Sequence, residues 1–126
     1  MNQPQTSVKT ARSEDARQAI LLNSGLGALG RLAERWALTD DARSRLINSG
    51  EVSGSTARAS LQRMSHILGI YRAATALFRH READLLQWLR AANTAPPFAG
   101  LSPIEVIVDG RNLYQVRGYL ECQLVA

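Results

Sequence analysis

Apolar positions along this chain recur three and four residues apart, the spacing of one face of a helix. Leu26, Leu29, Leu32, Ala33 and Trp36 form one stripe, and Leu46 and Ile47 supply the buried end of another. Leu61, Met64, Ile67, Leu68, Tyr71, Ala74 and Phe78 trace the longest. Leu85, Leu86 and Leu89 face inward on a further segment, and Leu113, Val116 and Leu120 mark the last. No stretch sustains the alternation of a half-buried strand; "VIVDG" is apolar but short.

Local punctuation divides these stripes. Ser13 ahead of Glu14 and Asp15 is an N-cap with acids in the first turn, which predicts a helix to about Asn23. "NSGLGALG" is expected to interrupt or bend the pattern. Thr39 caps the next helix, with Asp40 and Asp41 in its first turn, and "NSGEVSGST" is a turn-rich break after it. Gly69 inside the longest stripe costs roughly 1 kcal/mol against alanine, which points to close packing of another helix there. The helix bearing Leu85 is expected to end near Asn93. "SPIE" is the clearest signal: Ser102 as N-cap, Pro103 at the first helical position and Glu105 completing a capping box, in a helix that ends at Gly110. Residues 1–12 are polar, include Pro4, and are expected to form a disordered arm. The pattern predicts an all-α fold of about seven helices.

The chain has 126 residues, 45% of them hydrophobic, enough for one domain or two tightly packed helical subdomains. Its formal charge is +4 and its pI about 10.0. Lys9 is the one lysine among 15 basic residues; the rest are arginine. Arginine binds phosphate or carboxylate with two parallel hydrogen bonds, so nucleic acid or an acidic protein face suits this surface, as does plain solvation. A single cysteine, Cys122, excludes an internal disulfide. The first residues lack the apolar core of a signal peptide, and no apolar run approaches the ~18 residues of a membrane span. A cytoplasmic protein that does not enter the membrane is expected.

Candidate chemistry is sparse. "GLGALG", from Gly25 to Gly30, has the spacing of a dinucleotide loop, but that loop follows a strand, and here the preceding "AILLN" reads as helix. Helix breaking and close packing explain the glycines better. His66 and His80 with one cysteine give no metal-ligand spacing, no elbow frames a nucleophile, and capping explains Asp40–Asp41. The expectation is a chain that is no enzyme and holds no cofactor or metal. The segment "LTDDARSRLINSGEVSGSTARASLQR" has the outline of a helix-turn-helix, whose second helix enters the major groove and whose early polar residues touch bases and phosphates. Arg43, Ser55, Thr56, Arg58 and Arg63 are the candidate DNA contacts.

Three stretches, "SLQRMSHILGIYRAATALF", "LLQWLRAAN" and "FAGLSPIEVIVDGRNLYQVRGYL", together resemble the Xre/MbcA/ParS-type antitoxins of RES-Xre toxin–antitoxin systems. The family's toxin-binding part reads as a tryptophan-leucine helix, an asparagine-proline loop, a glycine, a leucine, a small residue and proline, then a glycine and a closing helix. Those places are Trp88-Leu89, Asn93, Pro96 or Pro97, Gly100, Leu101, Ser102-Pro103 and Gly110, with Val116 and Leu120 on the last helix. The resemblance covers roughly residues 25–121 and is most specific from Arg63 onward. Two departures stand out: the stretch between Ile47 and Leu61 is compressed, and the chain ends "YLECQLVA" without a glycine-bearing tail.

Behind the polar arm expected over 1–12, the resemblance implies an Xre-like helix-turn-helix domain over 13–62 and a small helical toxin-binding domain over 63–126. It also implies a partner: a RES-domain toxin that consumes NAD or transfers ADP-ribose from it, whose NAD site the antitoxin covers. The complex is expected to repress its own promoter, and a homodimer is expected because helix-turn-helix proteins read two half-sites. Trp88, Asn93, Phe98, Leu101, Pro103, Ile104, Arg111, Arg117 and Tyr119 are the candidate toxin contacts. Removing residues 111–126 is expected to abolish inhibition while the fold survives. The alternative is a stand-alone DNA-binding transcriptional regulator, with strongly salt-dependent binding to its own promoter.

Overall fold

The structure is a computed structural model that describes the backbone of residues 3–51 and 57–126 and the side chains within 14–48 and 58–126. The described residues form six helices and no strand: α1 (Gln3–Arg35), α2 (Asp40–Glu51), α3 (Ala57–Leu77), α4 (Glu82–Arg90), α5 (Pro103–Val108) and α6 (Leu113–Val125). The fold is all-α, as the periodicity predicts.

Two expected breaks are absent. The arm expected to be disordered is helical from Gln3, because Pro4 falls in the first turn, where its missing N–H has no intrahelical partner to lose. "NSGLGALG" does not interrupt α1, which runs 33 residues, about 50 Å, in one piece. A Cβ on Gly25 would stand 2.5 Å from Met64 Sδ, so this glycine lets α1 and α3 approach. Packing against α3 offsets the propensity cost that makes three glycines in a row of six look like a break. The dinucleotide-loop spacing thus lies in mid-helix, with no free helix N-terminus to meet a phosphate.

Helix α1 stops in a Schellman motif. Leu38 N–H donates to Ala33 O at 3.0 Å and Ala37 N–H to Glu34 O at 3.1 Å, with Ala37 in the left-handed region (φ 53°) where glycine is usual. Arg90 Nη2 reaches across from α4 to the Ala37 carbonyl at 3.2 Å. Thr39 then caps α2, its Oγ1 accepting from Ala42 N–H at 3.1 Å. The turn-rich break expected from Asn48 starts later, since α2 continues to Glu51; residues 52–56 lie outside the described residues.

Helix α3 is the centre of the molecule. It packs against α1 and α2 on one flank and α6 on the other, and its end touches α4. Its stripe of Met64, Ile67, Ile70, Ala73 and Ala74 is buried in a single core that runs from Leu29 of α1 to Leu120 of α6. The division expected between residues 62 and 63 falls inside this helix. Gly69 admits α6: a Cβ there would stand 2.5 Å from Arg117 Nε.

Helix α4 ends at Arg90, three residues before Asn93, where Ala91 turns extended. Helix α5 is apolar apart from exposed Glu105 and is covered by both α2 and α4, so Val106, Ile107 and Val108 are all buried. Its ends follow the local code. Ser102 Oγ accepts from Glu105 N–H at 3.4 Å, and Pro103 occupies the first position. A second Schellman motif closes it, with Arg111 N–H on Val106 O at 3.1 Å and Gly110 at φ 69°.

Gly118 lies in mid-α6 with nothing within 4 Å of where a Cβ would sit. Gly118→Ala is therefore expected to stabilise the chain by about 0.5–1 kcal/mol, read as a rise in the urea midpoint. An unchanged or lower midpoint would mean that this face of the helix is crowded.

Candidate partner-binding surface

The segment from α4 to α6 is organised around a row of aromatic rings. Phe78 meets Trp88 at 5.8 Å between centroids, Trp88 meets Phe98 edge-on at 5.8 Å, and Phe98 meets Tyr119 edge-on at 5.7 Å. Edge-to-face pairs at these distances are favoured by the ring quadrupoles. Trp88 and Tyr119 are half-buried, while Phe98 is fully enclosed.

The loop carrying Phe98 is closed by Asn93. Its N–H donates to Leu101 O at 3.0 Å, its carbonyl accepts from Gly100 N–H at 2.8 Å, and its Oδ1 accepts from Ala95 N–H at 2.9 Å. Ala99 and Gly100 complete the reversal with positive φ values of 51° and 89°. Clasped in this way, the loop drives Phe98 inward and leaves Leu101 outside.

This placement corrects two candidate contacts, Phe98 and Pro103. Phe98 is a core residue, 0% exposed and enclosed by rings from α4 and α6. Pro103 is buried as the first residue of α5. Asn93, half-buried, commits its backbone groups and its Oδ1 to the loop itself. Leu101 remains exposed and Ile104 half-buried.

The arginines sort similarly. Arg111 is exposed, with Nε 3.8 Å from Asp109. Asp109 also binds the Arg45 guanidinium, and that hydrogen bond, with the charge beside it, raises the Arg45 pKa further above its usual range. Arg117 lies over Gly69, donates from Nε to Glu121 Oε1 at 2.8 Å and reaches the Ser65 carbonyl at 3.5 Å. It ties α6 to α3 and is only partly available to another chain.

Four outward residues escaped the sequence reading: Tyr114, Gly118, Leu124 and Val125. Tyr114 is 76% exposed and Val125 87%. At 3.6 residues per turn, Tyr114, Gly118 and Val125 fall along one face of α6, away from buried Leu113, Val116 and Leu120. Leu124 adds a second exposed apolar side chain at the end of the helix. The available signal was an apolar residue on each side of α6, which a single buried stripe does not need. The His66 ring meets Tyr114 edge-on at 5.8 Å and steadies it at the foot of this face.

The candidate DNA contacts do not converge as fully. Arg43 and Arg58 are exposed, on α2 and at the start of α3. Ser55 and Thr56 lie outside the described residues. Arg63 donates from Nη1 to the Gly110 carbonyl at 3.4 Å, joining α3 to the end of α5. The half-buried side chain is thus partly engaged by its own chain. Among the described residues no helix is long and apolar enough to cross a membrane.

No family model matches the chain, and no solved structure matches it. The uncharacterized protein y4oB of Sinorhizobium fredii (strain NBRC 101917 / NGR234) is 34% identical over 110 residues, covering 78% of this chain and 82% of the relative. With that identity over most of both chains, the protein belongs to the family of y4oB.

Proposed function

We propose that this chain is the antitoxin of a type II toxin–antitoxin module and that it silences a RES-domain toxin by covering its NAD site. The observation that carries this reading is the outward face of α6. Tyr114 and Val125 are large apolar side chains exposed at its two ends, with a glycine between them that leaves the helix backbone open to close approach. Apolar anchors edged by arginine suit a protein interface, and Arg111 stands just ahead of this helix. Leu101, exposed on the clasped loop, adds a further apolar group. The sequence resemblance from Arg63 onward supplies the kind of partner. The chain performs no chemistry in this mechanism; it acts by steric occlusion in the cytoplasm.

The test is to co-express the chain with the protein encoded by the adjacent gene, purify the pair and measure NAD consumption against the partner alone. A stable, silent complex is expected. Gly118→Arg, placed where the free chain has open space, and the double change Leu124→Asp with Val125→Asp are expected to restore at least a tenfold higher NAD turnover while leaving the circular dichroism of the antitoxin unchanged. Folded variants that inhibit as well as the parent would sink the α6 face as the plug.

A second reading, a DNA-binding regulator, draws on exposed Arg43 and Arg58. It predicts promoter binding by the chain alone that weakens steeply with salt and is lost in Arg58→Ala. Promoter binding and toxin binding would use separate surfaces, so a homodimer repressing its own operon is compatible with both.

A further inference from the structure

A cleft of about 620 Å³ opens where the ends of α1 and α3 meet the start of α4, apart from the α6 face. Trp36, Tyr71, Phe78 and Leu86 form much of its wall. Arg35, Arg79 and Glu82 stand among its polar lining residues, and the Arg81 guanidinium lies 5.7 Å from the centre of the Phe78 ring.

We propose that this cleft binds a small amphipathic carboxylate, an organic acid with an aromatic or branched apolar body. Two observations converge. The cleft's volume and its mostly apolar, aromatic wall match sites that take one small organic molecule. Its polar lining is cationic on balance. Glu82 is already 3.9 Å from Arg35, whereas Arg79 has no ion pair among the described residues. The proposal does not depend on the toxin reading.

The probe is 4-phenylbutyrate, with 4-phenylbutanol as its uncharged counterpart. Trp88→Phe leaves Trp36 as the one indole in the chain, so its fluorescence reports the cleft. Saturable binding at one site per chain is expected, about fivefold or more weaker for the alcohol and for Arg79→Glu. Ala76→Trp, which fills the cleft from α3, should abolish binding. No saturable change up to millimolar 4-phenylbutyrate would overturn the proposal. So would equal binding of acid and alcohol, or full binding to a folded Ala76→Trp chain. If Ala76→Trp fails to fold, the exposed Arg79→Glu decides: undiminished acid binding there overturns the assignment.

Discussion

Phe98→Ala is expected to lower the stability of the folded chain by about 3–5 kcal/mol, the range for deleting a fully buried aromatic ring. Phe98 is 0% exposed and stands between the edges of Trp88 and Tyr119. Removing it opens a cavity that neither neighbour can readily fill, because Trp88 is also held against Phe78 and Tyr119 belongs to a helix anchored on α3. The loop around it carries Ala99 at φ 51°, a conformation that persists only while the surroundings enforce it. Native domains of this size are stable by roughly 5–15 kcal/mol, so a loss of this order leaves a marginal protein. Urea unfolding followed by circular dichroism reads the change. Phe98→Leu, which keeps most of the volume, should cost clearly less. A Phe98→Ala chain within about 1 kcal/mol of the parent would mean that the loop does not seal the core and that Phe98 is free to face a partner after all.

Deletion of residues 111–126 is expected to unfold the chain rather than yield a folded antitoxin that no longer inhibits. This reverses the expectation from sequence. The deletion removes buried Leu113, Val116 and Leu120, each contributing about 1.5–3 kcal/mol by burial, and bares the flank of α3 that they cover. The sum is comparable with the whole stability of the domain. A chain ending at Gln123 is the informative truncation. It loses Leu124, Val125 and Ala126, all exposed, and keeps every buried residue of α6. It should melt within a few degrees of the parent and, under the proposed function, fail to silence the co-expressed partner. Cooperative unfolding of a chain ending at Gly110 would show that α6 is dispensable to the core. Full inhibition by a chain ending at Gln123 would remove the last turn of α6 from the proposed plug.

The candidate surface was only partly legible in the sequence. "LSPIEVIVDG" announced its helix and both caps, because each signal acts within a few residues: Ser102 on Glu105 N–H, and Gly110 closing on Ile107. Phe98 and Leu101 look equivalent in sequence, two large apolar residues in a proline-rich loop. Their fates differ because Asn93 clasps the loop in one register and aromatic rings from α4 and α6 wait on one side of it. Tyr114 and Val125 were overlooked because α6 already had a sufficient buried stripe in Leu113, Val116 and Leu120.

Sequence by itself determined the all-α class, the inward stripes of α4 and α6, the Met64, Ile67 and Ala74 positions of the α3 stripe, and the caps at Thr39, Ser102 and Gly110, while Ile70 and Ala73 completed the α3 stripe only in the fold. The properties set by sequence rest on periodicity and on hydrogen bonds between residues three to five apart, and they hold wherever the segment lies. Only the tertiary structure decided that α1 continues through Gly25, that Arg63 turns to the Gly110 carbonyl, and that a cleft remains beside Trp36. Each of these depends on a partner distant in sequence, as Met64 is from Gly25 or Gly110 from Arg63. Local propensity is worth about 1 kcal/mol at a single glycine, and the packing of a neighbouring helix outweighs it.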